Sequence, residues 1–296
     1  MILAAAALRP AAANSDFLAD LVGKDSAGLG AALRAEQSLY RGGGVRLDVL
    51  PIYLYEGKHF YLHSNRFGLK LDIDPRRRVD VFVSRRLESF PVEQIPASLA
   101  GMAIRTTESD AGFSYEQRFD WGKVYVEYLR DTSGTSGGTE VKLGYSREEN
   151  RGSLRLLPYV TLSARDAKLN DYYYGVTPTE ATADRPAYSA GGGVNGTVGV
   201  YARYDLSTHW HLFAGLSATY WTSEVRNSSI VEKRALQLAG FGGFAYEFEP
   251  SPSATMTSAF SMANCATLPE PETTTVLPVT ELPRVRIISS TKYNSP

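Results

Sequence analysis

Two histidine-bearing spots are where chemistry would be sought first. His63 stands beside Ser64, just before Asn65, and a base next to a hydroxyl is the minimum for nucleophilic hydrolysis of an ester or lipid. Such a pair works only if the base reaches the hydroxyl and a third group orients it, and neighbours on a strand point to opposite faces. The two therefore read as the tip of a turn. His209 and His211 flank Trp210, a spacing that could put both imidazoles on one face and let them share a metal. No third or fourth ligand stands nearby, so neither a metal nor a cofactor is expected. Gly42-Gly43-Gly44 and Gly191-Gly192-Gly193 are followed by neither a helix nor Gly-Lys-Ser/Thr, so they are turn glycines rather than phosphate loops. Glu148-Glu149 reads as solvated turn charge. Cys265 is the single cysteine and has no partner for an internal disulfide. No catalytic residue is assigned.

A second class of charged residue is more regular. Arg46 and Asp48, Lys70 and Asp72, Arg203 and Asp205 each alternate with apolar neighbours, as do Arg34, Glu36, Glu116, Arg118, Arg155 and Glu247. The clearest case begins at Val198, where Val198, Val200, Ala202, Tyr204 and Leu206 alternate with Gly199, Tyr201, Arg203 and Asp205. A period of two with charge on one face places that face in water and the other against something apolar. In a soluble sandwich the apolar face would meet a second sheet; in a membrane barrel it would meet lipid, with the charges lining the lumen.

The elements that carry these residues settle the choice. Alternation recurs in about 12 segments, within a range of about 10 to 14, and most are near the roughly 9 to 11 residues that cross a bilayer when tilted. Pro51 marks the second of them as a bulge or an edge. Their connections sort by length. One alternating set is short, at 55–58, 75–77, 121–122, 148–153 and 207–209, while the other contains every long one, at 88–110, 132–138, 165–193 and 222–234. Long loops on one side and short turns on the other are the mark of an antiparallel transmembrane β-barrel. No apolar run reaches the roughly 20 residues of a spanning helix. With 31 Lys and Arg against 32 Asp and Glu and no basic patch, a nucleic-acid partner is not expected. Aromatic residues near strand ends, Tyr40, Tyr53, Tyr125, Tyr145, Tyr204, Trp210, Tyr220 and Phe248, are expected to form interfacial girdles among the membrane lipids.

The chain divides into a degenerate signal peptide at 1–13 ending in Ala11-Ala12-Ala13, a lead-in at 14–27, the barrel at 28–248, and a Ser/Thr/Pro-rich tail at 249–296 expected to be disordered in the periplasm.

Several stretches resemble one known family. Asn170-Asp171-Tyr172-Tyr173-Tyr174-Gly175-Val176, then Arg185-Pro186 with Tyr188, then Leu206-Ser207-Thr208-His209-Trp210 are similar to the MipA/OmpV outer-membrane family. So are Leu50-Pro51-Ile52, Tyr55-Glu56-Gly57, Leu143-Gly144-Tyr145 and Asn227-Ser228-Ser229. The resemblance runs from about Gly28 to Phe248, the aromatic residue that closes the last strand and, in the family, ends the chain for the barrel-assembly machinery. It implies a non-enzymatic scaffold in the Gram-negative outer membrane, bringing a periplasmic lytic transglycosylase together with a murein synthase. The alternatives are a small-solute channel, a surface adhesin or antigen, and a lipid hydrolase at the rim. Enzyme contacts would fall on the short turns, and contacts to a host or phage on the loop holding Tyr172, Tyr173, Tyr174 and Arg185.

Overall fold

The computed structural model of the protein describes residues 26–86, 88 and 96–248. The expected signal peptide and tail lie outside the described residues, as does most of the lead-in. The strands are β1 (Ser26–Gln37), β2 (Val45–Glu56), β3 (Phe60–His63), β4 (Arg66–Asp74), β5 (Arg77–Arg86), β6 (Glu108–Phe119), β7 (Gly122–Asp131), β8 (Thr139–Ser146), β9 (Glu149–Arg151), β10 (Leu154–Arg165), β11 (Gly193–Asp205), β12 (Trp210–Tyr220) and β13 (Leu236–Phe248). Each pairs antiparallel with its neighbour, β13 pairs with β1, and β10 pairs with β11 across the place where β9 ends the series. Because β9 is a three-residue continuation of β8 along β10, twelve strands go round and the sheet is a closed all-β barrel. Closure removes the open edges that hydrocarbon would not solvate, except along β2 before Tyr53, where no pairing on the β3 side is described.

The period of two decides which side each residue takes. Leu47, Val49, Leu69, Leu71, Val81, Val83, Val141, Leu143, Val160, Leu162, Val198, Leu216 and Leu238 point outward and are exposed. In water so wide an apolar surface would be untenable; in a bilayer it is the lipid-facing band. Pro51 breaks no register, since it pairs opposite Ala31 in an uninterrupted β1–β2 ladder. Its missing N–H is harmless because described pairing on the β3 side reaches only to Leu54 and the Ser64 N–H bond to Tyr53 O. The long connections share the end bearing the Gly42–Gly44 turn, and the short ones share the end bearing Ser26 and Phe248, apart from the turn at 64–65 between β3 and β4, which is on the first side. By the length rule the first end is extracellular and the second periplasmic.

Inward glycines admit the large rings of the lumen. Tyr61 lies over Gly68, Phe82 over Gly112, Tyr125 over Gly144, Tyr159 over Gly199 and Phe241 over Gly215. In each pair the glycine is on another strand, and a methyl at Gly112 or Gly144 would come within 2.1 Å of the ring. Tyr125 is therefore a lumen residue, buried and bonded to Thr161 at 2.8 Å, and not the girdle residue that its place in the strand suggested. Tyr40 departs in the same way, for it is buried in the extracellular loops. The girdle proper is seen at the periplasmic end, where Phe119, Trp121 and Tyr145 stack at 4.7 and 5.5 Å, and where Trp210, Tyr246 and Phe248 form edge-on contacts.

Candidate functional site

The expected loop at 165–193 is not a free loop. Asp166 caps a helix, α1 (Ala167–Tyr174), by accepting from the Leu169 N–H at 2.9 Å, and Gly175 ends it with its N–H on Asp171 O. The helix points Leu169, Tyr173 and Tyr174 into a core that they share with Leu39, Tyr40, Leu99, Val176, Ala190, Trp221, Val225, Ile230 and Val231. Those residues come from four extracellular connections, including the short helix α2 (Ser223–Arg226). Together they make a lid over the extracellular mouth. Apolar residues in loops usually go unburied; here the connections bury them against one another.

Polar groups fasten the lid. Tyr40 Oη donates to Tyr173 O, Ser228 Oγ to Tyr174 O, and Tyr188 Oη to Glu224 O. Asn170 Nδ2 donates to Gly191 O at 2.8 Å, and Asp171 Oδ1 accepts from the Ala190 N–H at 2.8 Å. Arg185, expected at a contact surface, is 7% exposed and spends its guanidinium on the carbonyls of Ser98, Ala100 and Glu180. Tyr173 and Tyr174 are 0% and 1% exposed. The side chains of Asn170, Tyr173, Tyr174, Val176 and Arg185 are thus interior to the lid, while Asp171 and Pro186 are exposed and Tyr172 and Tyr188 are half-buried. Burial would raise Glu180, but bonds from Arg105, the Ala103 N–H and Thr177 outweigh it and hold the carboxyl at about 2. Burial and the carboxylate of Glu88 push the phenols of Tyr40 and Tyr174 well above their usual range.

Beneath the lid the lumen carries a buried charge network on one side and, on the other, an apolar cluster bordered by further ion pairs. Arg86 meets Glu108, Asp110 and Glu140 at 2.7, 3.0 and 2.6 Å, and Arg165 meets Glu88 and Glu140 at 2.7 and 3.3 Å. Arg66 lies over the ring of Phe82 and bonds Glu127 at 2.8 Å, with Lys142 also on Glu127. These residues of β4–β8 and β10 were absent from the expected site, although the alternation of Arg86, Asp110, Glu127 and Glu140 with apolar neighbours carried the same signal as Arg203. The other wall is Ile52, Leu54, Leu157, Tyr159, Tyr201, Phe213 and Phe241.

The six charges singled out from the sequence all lie on the inward face, each with a partner. Arg46 pairs with Asp48 at 2.8 Å, Lys70 with Glu56, Asp72 with Arg78 at 2.9 Å, and Arg203 with Asp205 at 2.6 Å. His63 faces the lumen and bonds Glu56 at 2.8 Å, while Ser64 sits at the hairpin tip with a φ of 50°. Strand geometry thus separates the base from the hydroxyl. His211 lies between Asp205 and Glu247 at 2.7 and 3.1 Å, whereas His209 stacks on Tyr246 in the turn, so the two do not converge. Among the described residues no group of His, Cys, Asp and Glu is arranged to hold a metal.

Comparison with known proteins places the chain. The family profile for the MltA-interacting protein MipA matches residues 29–248. The outer membrane protein Omp26La of Vibrio anguillarum is 31% identical over 151 residues, which is 51% of this chain and 58% of that protein, so the chain spans little more than half of its length. The putative outer membrane protein YiaT of Escherichia coli K12 is 26% identical over 69% of this chain and 84% of its own. The MltA-interacting protein of Escherichia coli K12 is 23% identical over 80% and 95%. Among solved structures, OmpT of Vibrio cholerae covers 80% of the chain and 71% of its own, at 12% identity and a TM-score of 0.33. With a profile match across the whole barrel and outer-membrane relatives on either side of it, the chain belongs to the MipA family of outer-membrane proteins.

Proposed function

We propose that the protein is a non-enzymatic scaffold whose periplasmic turns hold cell-wall enzymes, a lytic transglycosylase and a murein synthase, at the outer membrane. The observation that carries this reading is the filling of the barrel. The lumen charges Arg66, Lys70, Arg86, Glu127, Glu140 and Arg165 are buried and cancel in close pairs, and a lid core covers the extracellular mouth. A small-solute channel needs a continuous wet path, and charges committed to one another do not line one. What such a barrel offers is its rims. The periplasmic rim presents exposed charge on consecutive turns, with Lys58, Arg76, Asp120, Arg147 and Arg151 all accessible. The name of the Escherichia coli relative, MltA-interacting protein, adds that one member of the family has a protein partner. Against a rim hydrolase, the His63 imidazole is engaged by Glu56 in the lumen while Ser64 sits at the hairpin tip.

The test is retention of a purified lytic transglycosylase by the full chain immobilised in detergent. Retention that falls at least tenfold when Arg76, Asp120 and Arg147 are all changed to Ala supports the scaffold. Steady single-channel conductance in planar bilayers, with no retention, would replace it by the channel.

A further inference from the structure

The alternation that sends charge into the lumen has two exceptions at the extracellular end. Arg85 on β5 and Arg130 on β7 occupy outward positions and are exposed. Among the described residues of the twelve long strands, every other charged side chain faces the lumen except at the periplasmic turn between β4 and β5. The two arginines flank one strand: Arg85 is opposite Ser109, and Arg130 is opposite Ala111 on β6. Strand spacing of about 4.8 Å and a rise of about 3.4 Å per residue put their Cα atoms roughly 12 Å apart, within reach of one headgroup for two long side chains.

The chemistry around them is one-sided. The carboxylates next in sequence, Glu108, Asp110 and Asp131, all point inward and are 2%, 2% and 7% exposed. Outward there are hydroxyls instead: Thr107, which accepts from Arg85 at 3.2 Å, with Ser109 and Thr132 alongside. The Arg130 side chain forms no hydrogen bond or ion pair with a described residue. Below the pair runs an apolar strip of Val81, Val83, Phe113, Val126 and Tyr128, all exposed toward lipid. A guanidinium on a lipid-facing wall, with no carboxylate among the described residues on its own side, has the phosphates of the surrounding leaflet as its counter-anions, and its fork matches phosphate oxygens two at a time.

We propose that Arg85 and Arg130 bind the phosphorylated headgroup of an outer-leaflet lipid whose acyl chains lie on that strip. The site is independent of the scaffold reading and would stand if the periplasmic partners were others.

The experiment uses the full chain in detergent, titrated with diphosphoryl lipid A, with the same lipid after removal of its phosphates, and with inorganic phosphate. The diphosphoryl form is expected to bind at least tenfold more tightly than the dephosphorylated form. In the double variant R85Q/R130Q that preference should fall to less than twofold, with heat-modifiable migration in gels showing that the barrel is folded. The single variants R85Q and R130Q, which each leave one guanidinium, should lose about threefold, and they decide the matter if the double variant does not fold. Equal binding of both lipid forms overturns the proposal, as do variants that bind like the parent. Full competition by millimolar inorganic phosphate also overturns it, because the site would then take any phosphate rather than a lipid.

Discussion

Arg185 shows how one side chain holds several loops. Its guanidinium reaches three carbonyls in two segments distant in sequence, Ser98 and Ala100 on one side and Glu180 on the other. Arg185→Ala should leave those carbonyls without their charged donor and destabilise the lid by roughly 2 kcal/mol, within the range for hydrogen bonds to charged groups. Faster amide exchange across 98–100 and 176–188 would be the readout, with the strands unchanged. The inward glycines make an opposite prediction. Gly112→Ala and Gly144→Ala each push a methyl to 2.1 Å from a ring on the neighbouring strand, whereas nothing lies within 4 Å of a methyl at Gly242. Overpacking of this kind costs about 1–3 kcal/mol. The first two variants should lose resistance to unfolding in urea, and Gly242→Ala should not.

At the scale of elements, the strands were legible because alternation is a local signal, and the lid was not. Val198 to Leu206 announces its two faces within nine residues, but nothing near Tyr173 says that Ile230 and Leu39 will cover it. A helix at Ala167–Tyr174 was missed for a related reason: with three consecutive tyrosines and few strong helix formers, its local propensity is weak, and capping by Asp166 together with burial of one face makes the helix. Asp166→Ala should therefore loosen the lid, at a cost of about 1 kcal/mol. The hairpin from Val176 to Tyr188 carries a pH dependence as well. Glu180 is held at about 2 in the folded lid against an ordinary 4.5, so its contribution is fully present above the unfolded value and is lost as pH falls through the folded one. Exchange of the 176–188 amides should rise between about pH 4.5 and 2, and Glu180→Gln should abolish that rise.

For the whole molecule, closure is the property that the sequence carried best, since segregated loop lengths and an apolar face on every strand leave few other architectures. What it carried poorly was the state of the lumen. Inward charges at Arg46, Lys70 and Arg203 fit an open pore and a filled one equally well, and only their distances to Asp48, Glu56 and Asp205 distinguish the two. A closed barrel with β13 joined to β1 over ten residue pairs should stay folded in dodecyl sulfate at room temperature and migrate more slowly after boiling. Deleting Leu236–Phe248 should abolish the shift.

The rings laid over glycines bear on how such a wall is put together. Each ring can lie flat at one register alone: if β5 slid by two residues along β6, Phe82 would meet Ser114 or Asp110 in place of Gly112. The five pairs sit at intervals around the circumference, so each newly added strand is checked soon after it arrives. A chain that inserts its strands in order would thus reject a slipped partner before the barrel closes, with the glycines acting as gauges of fit during assembly.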